Sequence, residues 1–195
     1  SQPLGCAICN ALDVAEAIGV LRGEAPGRLT ELALRFATEA QVRALGAEPD
    51  EARARAERAL AEGSALEVFR RMIEAQGGDP RVVDDPDGLL PRAPVELPIL
   101  SPSGGFLAAV DAEALGRASA DLGAGRRRKQ DPIDPAVGIV FRPKVGDPIG
   151  VGEELGRVHA RTEDAARAAA SRVLSALVIS GEPVGPVPLV HGWVG

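Results

Sequence analysis

The chain has 195 residues and a formal net charge of −6, with 22 Lys and Arg against 28 Asp and Glu. That balance argues against a nucleic-acid binder, which carries a basic excess, and no apolar run approaches the ~20 residues of a membrane-spanning helix, so neither nucleic acid nor membrane is expected as a partner. Hydrophobic residues at 45% fit a globular protein, while aromatics at 3% with no Tyr leave the core to Ala, Val, Leu and Ile.

The first third reads as helices. Asn10 is placed to cap a helix whose third residue is Asp13, a capping-box variant, and Ala11, Val14, Ile18 and Leu21 form one apolar stripe before Gly23. A second helix is expected from about Arg28 to Leu45, with Leu29, Leu32 and Phe36 on one face and Gly46 behind it. Asp50, after Pro49, should cap a third helix, rich in Arg and Ala, ending near Gly63. Ser64-Ala65-Leu66-Glu67 is a full capping box and opens a fourth, with Leu66, Phe69 and Ile73 inward. Gly77-Gly78-Asp79-Pro80 stops it.

Residues 79–94 are acidic and proline-rich, with Asp79, Asp84, Asp85 and Asp87 among Pro80, Pro86, Pro91 and Pro94, and mark the best domain boundary. Beyond it the period changes. Val95–Leu100 and Phe106–Val110 read as strands around the turn Ser101-Pro102-Ser103-Gly104-Gly105. Asp111 should cap a helix carrying Leu115, Ala118 and Leu122, followed by a Gly-rich basic loop at 123–130. Strands are expected at Val137–Phe141 and Leu155–His159, and a helix from Glu163 to about Val178, capped by Thr162. The Pro/Gly/Val-rich tail from Pro183 to Gly195 can add at most a short strand.

Four features invite chemistry. Cys6 and Cys9 form a C-x-x-C, open to a redox reading, to a zinc reading completed by His159 and His191, or to the plain reading of two small apolar residues in a reduced cytosolic protein. Gly123-Ala124-Gly125-Arg126-Arg127-Arg128-Lys129 resembles a phosphate cradle, but the glycines follow a helix instead of opening one, and a helix C-cap with a solvated basic loop accounts for it equally. Val145 to Ala160 is similar to the hairpins of biotinyl and lipoyl carriers, whose modified lysine sits at an exposed hairpin tip, where Lys144 is not placed. No charged-then-apolar leader opens the chain, so no export is expected. The start at Ser1 without Met, in a turn leading into a helix, reads as the interior of a longer protein.

Five segments together carry a family resemblance. Ser1-Gln2-Pro3-Leu4-Gly5-Cys6-Ala7-Ile8-Cys9-Asn10-Ala11-Leu12-Asp13-Val14 is similar to the QPLGxAVGNALEV segment of thymidine and pyrimidine-nucleoside phosphorylases. Gly63–Phe69, Ala75–Pro80, Leu122–Arg126, and Asp131–Ile139 with Lys144–Asp147 follow in the family's order. The resemblance covers the C-terminal part of such an enzyme and departs at Cys9, where the family has Gly, so the backbone there is expected to differ slightly.

The resemblance implies an α/β (α+β) fold. Residues 1–80 would be the last helices of a central α/β domain, 81–94 a linker, and 95–195 the C-terminal pyrimidine nucleoside phosphorylase domain with a barrel-sandwich (hammerhead) core. It implies that the whole enzyme, a cytoplasmic homodimer, uses phosphate to cleave a pyrimidine nucleoside into base and (deoxy)ribose 1-phosphate. The family's phosphate loop and base-binding residues have no counterpart here, so the chain alone should be inert and its N-terminal region is the missing partner. One family site maps onto the chain: a monovalent cation, K+, held by the carbonyls of Leu4 and Ala7 and the carboxylate of Glu16, with the remaining ligands outside the chain. A non-catalytic assembly module and a nucleoside-monophosphate phosphorylase are the rival readings.

Overall fold

The computed structural model describes residues 2–126 and 128–192. Contacts divide the chain into two compact units: the residues up to Asp13 with those from Pro91 onward, and Val14–Leu90 between them.

The Val14–Leu90 unit is helical. It takes most of α1 (Ala11–Leu21), then α2 (Arg28–Leu45), α3 (Pro49–Ala61), α4 (Ser64–Ala75), a 3-10 turn at Pro80–Val83 and the short α5 (Pro86–Leu89). Ile18, Val82 and Val83 form a buried apolar cluster, and Val14, Leu66, Phe69, Ile73 and Leu90 pack around them. The apolar stripes of α1 and α4 therefore point inward as their spacing predicts. Helix α2 turns differently from expectation: Leu34 is its buried residue, whereas Phe36 is 56% exposed.

The helix starts also depart from their sequence signatures. Gly63, at φ +74, precedes α4, and no side chain caps it; the Ser64 hydroxyl instead donates back to the Ala59 carbonyl and Glu67 pairs with Arg70. Helix α3 begins one residue before Asp50, because Pro49 has the fixed φ suited to a first helical position and no amide to satisfy. The Asp79 carboxylate does cap, accepting the Arg81 amide at the head of the 3-10 turn.

The other unit holds two antiparallel sheets. Strands β1 (Ala7–Ile8), β2 (Val95–Leu100), β3 (Gly105–Val110), β4 (Gly138–Phe141), β5 (Pro148–Ile149), β6 (Glu154–Ala160) and β7 (Leu177–Ser180) are arranged as a four-stranded sheet, β1-β4-β6-β2, and a three-stranded sheet, β5-β3-β7. Strands β2 and β3 are neighbours in sequence but belong to different sheets. Glycines make the close approaches possible: a Cβ at Gly156 would lie 1.9 Å from the Val140 carbonyl oxygen.

Both sheets supply one apolar cluster. Ile99, Ile139, Phe141, Leu155 and Val158 come from the first, and Leu107, Val110 and Ile149 from the second. Helix α6 (Ala112–Ser119) contributes Leu115 and Ala118, and α7 (Glu163–Ser175) contributes Ala166, Ala169, Ala170 and Val173. Asp111 and Thr162 cap these two helices as their positions predict, accepting the amides of Ala114 and Ala165. Helix α7 ends three residues short of the expected Val178. The chain turns at Ala176, and Leu177–Ser180 pairs with β3. Neither sheet closes into a barrel among the described residues.

Candidate functional site

The best-defined polar arrangement is built around the first residues of the chain, within the sheet-bearing unit. Ala7 and Ile8 pair with Val140 and Ile139 as an added edge strand. The neighbouring Phe141 amide donates to the Cys6 carbonyl at 2.7 Å. This docking needs Gly138, since a Cβ there would lie 2.7 Å from the Ile8 carbonyl oxygen and 2.9 Å from Leu12. Cys9 and Asn10 then reverse the chain with φ of +88 and +55. The backbone at Cys9 thus occupies the left-handed region, which suits a glycine.

Asn10 does not cap α1 with its side chain. Its amide donates to the Ala124 carbonyl at 2.8 Å. The Asp13 carboxylate reaches back past the N-cap position and accepts the Cys9 amide at 3.1 Å, so the capping box expected from the sequence does not form in its usual register.

Two contacts tie residues 2–5 to the turn after β4. The Lys144 ammonium donates to the carbonyls of Pro3 at 3.2 Å and Gly5 at 2.6 Å. The Gln2 side-chain oxygen accepts the Val145 amide at 2.7 Å. The turn is itself held, with the Asp147 carboxylate accepting the Lys144 amide at 2.8 Å and the Asp147 amide donating to the Lys144 carbonyl at 3.0 Å. Lys144 is thereby committed to main-chain carbonyls, which removes the carrier-lysine reading. Sequence reasoning missed this role for Lys144 and Gln2: they stand in the first and last family-like segments, yet nothing local signals that these touch.

The cation ligands implied by the resemblance are placed as follows. Leu4 lies in a bend between Pro3 and Gly5, and Ala7 is fixed by its pairing with Val140. Glu16 is half-buried on α1 and belongs to the helical unit. The Leu4 carbonyl accepts no hydrogen bond among the described residues, although the carbonyls of Pro3, Gly5 and Cys6 all do. Carbonyl and carboxylate oxygens are the donor type that a hard cation prefers.

The other candidates separate. Cys6 and Cys9 are half-buried and not disulfide-bonded. No group of three or more His, Cys, Asp or Glu side chains converges among the described residues, so the zinc reading finds no ligand set. His159 lies on β6 with Nδ1 3.7 Å from Glu96; burial holds its pKa below the ordinary value, partly offset by the Glu96 carboxylate. His191 lies outside any regular element.

In the basic loop, Arg127 lies outside the described residues. The Arg128 amide is already taken by the Asp131 carboxylate at 2.8 Å. Gly123, at φ +106, closes a π turn after α6, and its carbonyl accepts the Asp134 amide. Asp134 in turn binds Arg161 through both oxygens at 2.6 and 2.7 Å, and that guanidinium holds its carboxyl below the usual range. These contacts are those of a helix end and a fixed turn, and they occupy a donor that an anion cradle would need.

Residues 106–180 match the family described as Pyrimidine nucleoside phosphorylase C-terminal domain. The chain is 42% identical to the pyrimidine-nucleoside phosphorylase of Bacillus subtilis (strain 168) over 192 residues, which are 98% of this chain and 44% of that protein. It is 46% identical over 165 residues to that of Staphylococcus haemolyticus (strain JCSC1435), covering 84% of the chain and 38% of the relative. For the protein of the same name from Geobacillus stearothermophilus the identity is 44% over 164 residues. The chain spans less than half the length of these relatives. Residues 106–180 thus belong to the pyrimidine nucleoside phosphorylase C-terminal domain family, and the chain is similar along 98% of its length to the portion of the Bacillus subtilis enzyme that carries this domain.

Proposed function

We propose that this chain is part of an enzyme in which phosphate attacks the anomeric carbon of thymidine or uridine, releasing the free base and (deoxy)ribose 1-phosphate. The observation that carries this is the 42% identity to a pyrimidine-nucleoside phosphorylase along 98% of the chain. The reaction needs donors that hold phosphate and stabilise the departing base. The residues described above include no such set, so the chain by itself is inert and the missing groups belong to a further N-terminal region. Residues from about 95 on are read as the barrel-sandwich (hammerhead) domain, a reading supported by two antiparallel sheets about one apolar cluster.

Within that enzyme, Leu4, Ala7 and Glu16 contribute oxygen ligands to a K+ site. The likeness of Gln2–Val14 to the family's segment supports this assignment. When bound, a monovalent cation supplies positive charge that orders the segment holding substrate phosphate. The part of this chain is to hold its ligands in place before the cation arrives.

The test is to incubate the chain with thymidine or uridine and phosphate and to assay free base. No turnover is expected from the chain alone. Turnover near that of a full-length relative would overturn the reading of an incomplete enzyme.

A further inference from the structure

Cys6 and Cys9 flank β1 and are not disulfide-bonded. The distance between Cα atoms three residues apart is set by the dihedrals of the two residues between them. Here those are Ala7 and Ile8, both in the strand and registered against Val140 and Ile139. Three steps of an extended strand span about 10 Å, whereas a disulfide needs its Cα atoms within about 7 Å. A Cys6–Cys9 disulfide and β1 therefore exclude one another.

We propose that Cys6 and Cys9 are a thiol–disulfide modification site that acts as a latch on β1: the dithiol lets the segment pair with β4, and oxidation by a small disulfide such as oxidised glutathione releases it. One thiolate attacks the small disulfide, forms a mixed disulfide and expels one reduced glutathione. The second thiol then loses its proton and displaces the other glutathione. Two thiols of the chain become one disulfide, and one oxidised glutathione becomes two reduced ones.

The segment is held at both ends. Ahead of the pair, the Lys144 ammonium donates to the Gly5 carbonyl at 2.6 Å. Behind it, the Asn10 side chain donates to the Ala124 carbonyl at 2.8 Å and the Ala11 amide to the Pro135 carbonyl at 3.2 Å. Closing the gap by about 3 Å folds Ala7 and Ile8 out of the extended form and pulls on both anchors. Strand β1 is suited to opening. It is two residues long, lies at the edge of its sheet, and is followed by Cys9 at φ +88, a backbone strain that undocking relieves. Elements with so few hydrogen bonds open locally at small cost, and both half-buried thiols are then within reach of the oxidant. The exclusion is reciprocal, so whatever weakens β1 pairing favours the disulfide by the same factor.

The test equilibrates the chain in glutathione buffers of increasing oxidised fraction. It reads intact mass and hydrogen exchange of the Phe141 amide, which donates to the Cys6 carbonyl at 2.7 Å. The disulfide should appear as the loss of two hydrogens, and Phe141 exchange should rise at least tenfold with it. Exchange across the β2–β6 pair should not change, and dithiothreitol should reverse both effects. In Gly138→Ala the added Cβ would lie 2.7 Å from the Ile8 carbonyl oxygen. That variant should form the disulfide at an at least tenfold lower ratio of oxidised glutathione to the square of reduced glutathione. The readings on the unaltered chain stand whether or not Gly138→Ala folds. Thiols that stay reduced or stop at a mixed disulfide would overturn the proposal, as would a disulfide that leaves Phe141 protected. Loss of β2–β6 protection along with disulfide formation would make the disulfide a product of unfolding and overturn it too. So would an unchanged glutathione midpoint in a folded Gly138→Ala.

Discussion

Asn10 donates its side-chain amide to the Ala124 carbonyl at 2.8 Å while its own backbone sits at φ +55. The pair joins the reversal before α1 to the π turn after α6. Asn is among the few residues that tolerate this backbone region, so one residue satisfies both the local geometry and a contact 114 positions away. Asn10→Ala should destabilise the chain by about 2 kcal/mol, combining about 1 for the lost hydrogen bond with about 1 for left-handed backbone strain. Asn10→Gly should cost only about half as much, because it keeps the geometry. Urea denaturation of both variants checks the order, and equal losses would show that the backbone region is irrelevant.

Cys9 sits at φ +88 without a glycine's freedom. Cys9→Gly should therefore stabilise the folded chain by about 1 kcal/mol or less, since relief of strain is offset by the greater chain entropy of Gly when unfolded. The midpoint of thermal unfolding, measured under reducing conditions, is the readout. A clear fall in that midpoint would mean that the thiol makes a packing contribution larger than the strain.

Two glycines should respond to alanine with opposite signs. At Gly156 a Cβ would meet the Val140 carbonyl oxygen at 1.9 Å, a backbone atom in the paired strand. Gly156→Ala should cost more than about 3 kcal/mol by forcing β4 and β6 apart. At Gly116, inside α6, nothing lies within 4 Å of the added carbon, and Gly116→Ala should stabilise by about 0.5–1 kcal/mol. Circular dichroism and denaturation of each variant test the pair.

His159 titrates below its ordinary value of 6.5 because burial opposes its charged form. A depressed pKa in the folded state means that the unfolded chain binds the proton more readily. The stability tied to a neutral His159 is present above about pH 6.5 and is lost as pH falls below it, toward the folded-state value. His159→Gln should flatten the stability profile of the chain below pH 6.5. A profile unchanged by the substitution would remove His159 as the source.

What could be read in advance follows the range of each interaction. Helices α1, α2 and α4 and strands β2, β3 and β4 lie close to where local periodicity and turn residues put them. Strand β7 was hidden because Val173, Leu174 and Leu177 continue a helical spacing, and only pairing with β3 makes Leu177–Ser180 a strand. The two-residue β1 has no signal of its own and exists because β4 offers an edge and Gly138 offers space. Spacing puts Leu29, Leu32 and Phe36 on one face of α2, yet Leu34 is the buried residue and Phe36 is exposed. The contact of Lys144 with the Gly5 carbonyl spans 139 positions, so no window of sequence contains it. The proposed cation ligands Leu4, Ala7 and Glu16 rest on the family resemblance alone, since composition and spacing do not distinguish them from ordinary backbone and a helix carboxylate.

The most direct measurement is to extend the reading frame upstream of Ser1, express the whole product, and assay free base released from thymidine and uridine with phosphate. The account predicts an in-frame Gly-rich segment bearing Lys and Ser, and potassium-dependent release of thymine or uracil by the whole protein. A folded whole protein that releases neither base, with or without potassium, would contradict it.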